Sequence, residues 1–370
     1  MERFSDLLKG KLAFGCMRMQ QNADGGIDMD NFRAMVDCYL EAGFNYFDTA
    51  HVYFDGKSET ALREGLTSRY PRERYVLTNK LTSVCFETEA DILPLFEQQL
   101  EACGVEYFDF YLIHSVLESN YGKYTDCRAF EIAQTLKAQG KVKHVGMSFH
   151  DSPAFLDRVL NEHPEIEVVQ IQYNYLDLYD PNVQSQGCLE VCVRHDKPVL
   201  VMEPIKGGGL VFLPDAALEK LNALNEGSPA SIALRFAAEQ DPVVMVLSGM
   251  TTLPQVRENV AFMQDPKPLS EAAHRTLAEV REMIRSLKLV ECTGCRYCTD
   301  GCPMQINIPG IFRCMNDRIK FPNRPEGRYA RVTEKGGKAS DCIACGACEQ
   351  VCPQHLPIRD LLKRAAEQFE

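Results

Sequence analysis

The chain has 370 residues, of which 45% are apolar and 25% charged, and its net charge is −12. That length exceeds one average domain and suffices for a large core plus an appendage. The acidic balance argues against a nucleic-acid partner, because phosphate binding needs a basic face. No apolar run is long enough to predict a membrane-spanning helix, and the opening Met1-Glu2-Arg3-Phe4-Ser5-Asp6 lacks the basic-then-apolar pattern of a secretory leader, so a cytoplasmic location is expected.

The charge is unevenly spread. From Glu291 onward there are 12 Lys/Arg against 10 Asp/Glu, whereas the first 290 residues carry 28 against 42. Sixteen cysteines is a high count, and in a cytoplasmic chain it points to metal or redox chemistry rather than disulfides. Eight of them fall in two compact groups after residue 290. The rest (Cys16, Cys38, Cys85, Cys103, Cys127, Cys188, Cys192 and Cys314) are scattered and read as small buried hydrophobes.

In chain order, apolar β-branched runs predict strands at Leu12–Met17, Tyr46–Ala50, Tyr75–Leu81, Phe108–His114, Val142–Phe149, Val168–Tyr173, Val199–Ile205 and Val243–Met250. Amphipathic stretches of helical length separate them, among them Asp28–Ala42, Ser58–Ser68, Glu89–Cys103, Cys127–Gln139, Pro153–Asn161 and Asn182–Arg194. Strict alternation gives a parallel sheet covered on both faces, and eight units in this length match a closed (β/α)₈ barrel. A doubly wound open sheet is the alternative. It would carry G-x-G-x-x-G after the first strand, where this chain has Gly15-Cys16-Met17-Arg18. Leu269–Lys288 predicts one more helix. The expected division is a barrel over 1–288 and a second domain over 289–370.

In such a barrel the active site lies at the C-terminal ends of the strands. The second strand runs into Asp48, with Tyr53 in the loop after it. The third runs into Lys80 and the fourth into His114. Singly, each has a plainer reading, as a core acid, a solvated lysine or a structural histidine. Together they make sense as buried charges that pair. Asp48 neutralises Lys80, and the ammonium is expected to lower the pKa of Tyr53, so that the phenol exchanges a proton with a carbonyl or alcohol oxygen that His114 orients. No nucleophile or metal accompanies the proton donor, which suggests hydride transfer from a bound cofactor.

The stretches Phe47-Asp48-Thr49-Ala50 with Tyr53, Thr78-Asn79-Lys80 and Leu112-Ile113-His114 resemble the aldo-keto reductase superfamily over roughly residues 10–265. That resemblance implies a barrel oxidoreductase that reduces aldehydes and ketones, or oxidises the alcohols, with NAD(P)H and an Asp–Tyr–Lys–His tetrad. It implies cofactor contacts at Gly15, Met17 and Arg18 beside the first strand, at Asp48, and at Ser148 and Gln170 beside the nicotinamide. Met202, Pro204 and Gly207 after the seventh strand, and Gly249, Gln255 and Asn259 after the eighth, complete the set. Phe149 stands where the family usually has Asn, and Met202 where many members stack an aromatic. Gly249 and Gln255 stand where NADPH-dependent members place Lys and Arg, so NAD is expected over NADP. The loops Val116–Asp126 and Tyr175–Gly187 offer Tyr121, Tyr124, Tyr175 and Tyr179 as pocket walls or as loop anchors.

Cys292-x₂-Cys295-x₂-Cys298-x₃-Cys302-Pro303 is repeated as Cys342-x₂-Cys345-x₂-Cys348-x₃-Cys352-Pro353, and each matches the bacterial ferredoxin run. Zinc is the alternative, but it uses paired C-x₂-C groups and four ligands. In two-cluster ferredoxins the fourth cysteine of each run serves the other cluster. That assigns one 4Fe–4S cluster to Cys292, Cys295, Cys298 and Cys352, and the other to Cys342, Cys345, Cys348 and Cys302. The partly helical insert between the runs resembles helical ferredoxin modules of respiratory dehydrogenases. The clusters are expected to serve either electron transfer, with a one-electron carrier protein as partner, or structure. The alternative function is a nucleotide- or redox-sensing protein whose clusters dock a partner.

Overall fold

The computed structural model describes Phe4, residues 6–325 and residues 327–370. Its contacts divide the chain into two compact units, one of residues up to Gly207 plus Glu226–His274, the other of Gly208–Asn225 plus Arg275–Glu370. The excursion after the seventh barrel strand thus groups with the cysteine-rich end of the chain, a division that the one-cut sequence boundary does not draw.

The first unit is a closed parallel barrel of β1 (Leu12–Gly15), β2 (Tyr46–Asp48), β3 (Val76–Thr82), β4 (Phe108–Val116), β5 (Val142–Phe149), β6 (Val168–Gln172), β7 (Val199–Met202) and β8 (Val243–Ser248). β8 closes the ring on β1, with Leu12 opposite Val246 and Phe14 opposite Ser248. The strands are buried on both faces, which is why they read as continuous apolar runs rather than as alternation. Between them lie α1 (Met29–Glu41), α2 (Lys57–Leu62), α3 (Glu89–Cys103), α4 (Glu118–Asp126), α5 (Ala129–Ala138), α6 (Pro153–Glu162), α7 (Ser185–Arg194), α8 (Asp215–Asn222) and α9 (Pro229–Ala238). α8 belongs to the second unit. α10 (Leu253–Met263) and α11 (Glu271–Arg285) follow β8.

Local chemistry starts these helices where the strands leave off. Ser152 and Ser228 accept from backbone N–H groups one turn into α6 and α9, and each is followed by a proline that is pre-set for the first helical position. α4 replaces part of an expected loop. Its start is fixed by Asn120, whose side chain accepts from the Leu117 N–H and donates to the Ser115 carbonyl. Its buried residues are Tyr121 and Tyr124, an apolar face too sparse to announce a helix in the sequence.

The second unit is built on a repeat of 50 residues. α12 (Tyr297–Asp300) and α15 (Ala347–Gln350) begin two residues after the second cysteine of each run and contain the third, and α13 (Ile308–Lys320) and α16 (Ile358–Phe369) follow the two Cys-Pro pairs. α14 (Arg328–Thr333) lies between the halves. The backbone repeats as well as the sequence. Positive φ recurs at Gly294 and Ala344, at Arg296 and Gly346, and at Gln305 and His355. Cys302 N–H bonds Thr299 O as Cys352 N–H bonds Glu349 O, and Gln305 N–H bonds Cys302 O as His355 N–H bonds Cys352 O. Ile306, Ile308, Ile311 and Phe312 of one half pack with Ile358, Leu361 and Leu362 of the other in one core.

Candidate active site and metal centres

Lys80 is not the last residue of β3. The strand continues to Thr82, and β4 continues past His114 to Val116. Side chains alternate along β3, so Lys80 and Asn79 face opposite ways. Lys80 is completely buried. Its Nζ donates to Asp48 Oδ1 at 2.5 Å, to the Thr49 carbonyl at 2.7 Å and to the Tyr53 hydroxyl at 3.4 Å. Asn79 donates to Glu59 Oε1 on α2 at 2.8 Å and accepts from Gln99 on α3. Thr82 Oγ1 meets His114 Nδ1 at 2.6 Å and holds the imidazole from behind. The His114 and Tyr53 rings then stand edge to face, 6.1 Å between centroids.

The electrostatics correct one expectation. Burial raises the Tyr53 pKa above its ordinary value. Lys80 opposes that rise without overcoming it, and Asp48 adds to it. The ammonium therefore limits the rise rather than producing a fall. Burial works against the charge on Lys80 too, but Asp48 and Tyr53 outweigh it and hold the amine above its usual range. For His114, burial, then Lys80 and His150, push the pKa well below 6.5, so the imidazole is neutral near pH 7.

Three polar residues of this rim had no individual signal in the sequence reading. Thr82 orients His114. His150, just past β5, bonds Gln172 and is itself held below its ordinary pKa by burial. Glu59 is a fully buried carboxylate that pairs with His51 Nδ1 at 2.8 Å and with Asn79. Its position six residues after Tyr53, on the helix that follows the β2 loop, was the available clue.

The residues expected to hold a cofactor divide into two groups. Gln170 Nε2 donates to Asp48 Oδ2 at 3.1 Å and so joins the buried network of the tetrad, while Ser148 Oγ accepts from the N–H of Ser115, the residue after His114, at 2.7 Å. Asn259 Nδ2 bonds Ser248 Oγ at 2.9 Å at the end of β8. Gln255 Oε1 accepts from the Thr251 and Thr252 N–H groups, which makes it the cap of α10. Gly15 is buried beside the Ser248 carbonyl. The Arg18 side chain lies along Gly249, where a Cβ would come within 2.9 Å of its Cδ. Met202 and Gly207 are half-buried, and Pro204 is buried. Of the four tyrosines, three are anchors: Tyr121 hydrogen-bonds Glu162, Tyr124 reaches the His114 carbonyl, and Tyr175 is fully buried, whereas Tyr179 is exposed.

In the second unit the eight cysteines of the runs line two hollows. One, of about 320 Å³, is lined by Cys292, Cys295, Cys298 and Cys352 with Arg296, Phe312 and Ile358. The other, of about 350 Å³, is lined by Cys302, Cys342, Cys345 and Cys348 with Met304, Ile343 and Arg359. Among the described residues, no group of three or more His, Cys, Asp or Glu converges tightly enough for a single metal ion. The thiols stand around spaces, as ligands of a polynuclear group do. The Thr299 hydroxyl, beside Cys298, is buried with no partner at normal hydrogen-bond geometry among the described residues. It is thus placed to donate to the Cys298 sulfur. The donor set and the orphaned hydroxyl both fit an iron–sulfur cluster.

Residues 11–282 match the model of the aldo/keto reductase family, and residues 291–356 match that of a 4Fe-4S dicluster domain. An Escherichia coli NADH-specific methylglyoxal reductase is 23% identical over 329 residues, covering 76% of this chain and 97% of its own. A Trypanosoma cruzi 9,11-endoperoxide prostaglandin H2 reductase is 26% identical over 245 residues, covering 66% and 80%. Among solved structures, the holo form of the aldo-keto reductase AKR11C1 from Bacillus halodurans superposes with a TM-score of 0.62 at 23% identity, covering 75% of this chain and 93% of its own. A Klebsiella pneumoniae aldo-keto reductase in complex with NADPH gives 0.58 at 21% identity, covering 74% and 90%. The chain belongs to the aldo/keto reductase family, as an oxidoreductase barrel followed by a 4Fe-4S dicluster ferredoxin domain.

Proposed function

We propose that the barrel reduces a small aldehyde or ketone with a nicotinamide cofactor, with Tyr53 as the general acid, and that the two hollows hold two 4Fe–4S clusters that exchange single electrons with a carrier protein. The observation that carries the first part is the reach of one buried amine, Lys80, to both Asp48 and Tyr53. When bound, the nicotinamide supplies or accepts the hydride. Tyr53 donates its proton to the carbonyl oxygen as carbon receives the hydride, and takes it back in the alcohol-oxidising direction. Neutral His114 donates its remaining N–H to the same oxygen and fixes the carbonyl between the two rings. Asp48 moves no proton. It holds Lys80 charged, and Lys80 stabilises the tyrosinate as it forms.

The rim also suits a flat ring and a small organic substrate. The loops after β1, β2, β3 and β6 expose Met17, Val52, Val84 and Tyr179, apolar surface that a bound ligand would cover. NAD is proposed as the preferred cofactor. Gly249 brings no cation, and the Gln255 amide is engaged as a helix cap. Tighter binding of NADPH than of NADH in a fluorescence titration would overturn that preference. The functional boundary is proposed at 288/289, in the interval between the two family matches.

Replacing Tyr53 by Phe tests the chemistry. The expected loss in kcat is ~10²–10⁴-fold with the cofactor still bound, as for removal of a general acid, and unchanged turnover would refute the assignment. Because the tetrad needs no electron relay, a folded Cys295→Ser/Cys345→Ser variant is expected to keep NADH-dependent carbonyl reduction while losing the cluster signals.

A further inference from the structure

The two cysteine runs are twins offset by 50 residues, so each position around one hollow can be compared with its partner around the other. Three of the charged and hydrogen-bonding positions break the symmetry. Arg296 lines the first hollow, and its twin is Gly346. Thr299 follows Cys298, and its twin Glu349 follows Cys348. Arg359 lines the second hollow, and its twin is Pro309.

These differences alter the balance of charge at each site. Arg359 is bound to Glu349 through Nε at 2.9 Å and through a second guanidinium nitrogen at 2.8 Å, and its backbone N–H also donates to that carboxylate. The second hollow thus faces a closed ion pair whose carboxylate lies next to a ligand cysteine. The first hollow is lined by the Arg296 guanidinium, and the Thr299 hydroxyl lies against its ligand Cys298. Positive charge and hydrogen bonds to sulfur both favour the reduced, more negative state of a cluster, and a nearby carboxylate disfavours it.

We infer that the cluster held by Cys292, Cys295, Cys298 and Cys352 is the more easily reduced of the two and is where a single electron entering the domain comes to rest, with Arg296 and Thr299 setting that preference. One electron from an external donor is added to this cluster, and no bond or proton moves. The inference rests on the two-cluster reading proposed above. Arg296 is well suited to the test because its backbone sits at φ +69° where the twin glycine sits at +78°. A glycine at 296 therefore relieves the backbone while deleting the cation.

The experiment is an anaerobic redox titration of the full chain with dithionite and mediators, followed by electron paramagnetic resonance, with iron and acid-labile sulfide measured on each sample. The wild type should hold about eight iron atoms per chain, as two 4Fe–4S clusters require, and should titrate in two one-electron steps. Arg296→Gly should keep its iron and lower the higher of the two midpoints. A tenfold change in the reduced-to-oxidised ratio at fixed potential, ~59 mV for one electron, is the scale expected. The shift should shrink as salt rises, because the guanidinium is exposed. Arg296→Lys should restore most of it. Thr299→Val should lower the same midpoint, and Glu349→Gln should raise the other. If Arg296→Gly moves the lower midpoint, or neither, the inference fails. If the wild type holds iron for one cluster only, it is the two-cluster reading that fails.

Discussion

At the scale of single residues, the site depends on a charge that has no access to water. Lys80 and Asp48 are each tolerable only because of the other, so removing one partner leaves an uncompensated buried charge at a cost of ~3–5 kcal/mol. Lys80→Met should therefore lose both stability and turnover. Lys80→Met/Asp48→Leu should regain much of the stability, read as a urea midpoint, and none of the activity; equal stability of the single and double variants would show that the pair is not coupled. The pH dependence has a definite sign. Because the Tyr53 pKa is raised, the acid stays protonated through neutral pH and carbonyl reduction should fall only in strongly alkaline solution. Because the His114 pKa is lowered, the kcat/KM profile should show no His114 step near pH 6.5. The grouping of Asp48, Tyr53, Lys80 and His114 was legible because they lie at or near the C-terminal ends of adjacent strands. The direction of the Tyr53 shift was not. It is set by depth of burial, which the identity of a neighbouring lysine does not reveal.

Individual elements show what else sequence patterns carry. All eight strands were readable, because a parallel barrel strand is an unbroken apolar run. Their ends moved by up to three residues: β7 stops at Met202 rather than Ile205, and β3 and β4 run past Lys80 and His114, since the hydrogen-bond ladder continues from Lys80–Leu112 to Thr82–His114. Gln255 read as a cofactor position, but a glutamine three residues after a threonine also writes a capping box, and the helix took it. Glu167, just ahead of β6, ties three elements. Burial works to raise its pKa, but His144 on β5, Lys137 at the end of α5 and the Val145 N–H bring it down to about 2. A carboxyl depressed from 4.5 stabilises the fold above that value and loses its contribution as pH falls toward 2. Glu167→Gln should thus cost ~1–2 kcal/mol near pH 7, after allowing for solvent screening at this partly exposed site. In urea titrations the gap from the wild type should close as pH falls through 4 toward 2. A gap that stays constant would assign the loss to packing instead.

For the whole molecule, the sequence divides the chain into two parts by composition and cysteine runs, and two family models match in that order. It did not reveal that Gly208–Asn225, which follow β7, group with the cysteine-rich unit. There Gly209 lies under the Phe321 ring, and Asn323 bonds Asp215 of α8. A segment's neighbours in space are set by packing that spans 100 residues, beyond the reach of local periodicity. The ligand sets make a prediction at this scale. Cys352→Ala and Cys295→Ala should remove the same resonance signal, and Cys302→Ala and Cys345→Ala the other. Pairing by run instead, 302 with 295 and 352 with 345, would refute the exchange of fourth ligands.

The same lining has a consequence for how the protein is made. The first hollow opens with Cys292 but waits for Cys352, and the second waits for Cys348. As the chain leaves the ribosome, the site begun first is therefore finished last, and neither has its four thiols until the second run has emerged. Iron and sulfide cannot be fully ligated while the barrel alone has emerged. A chain broken off after the first run carries a foldable reductase sequence but not one complete cluster site.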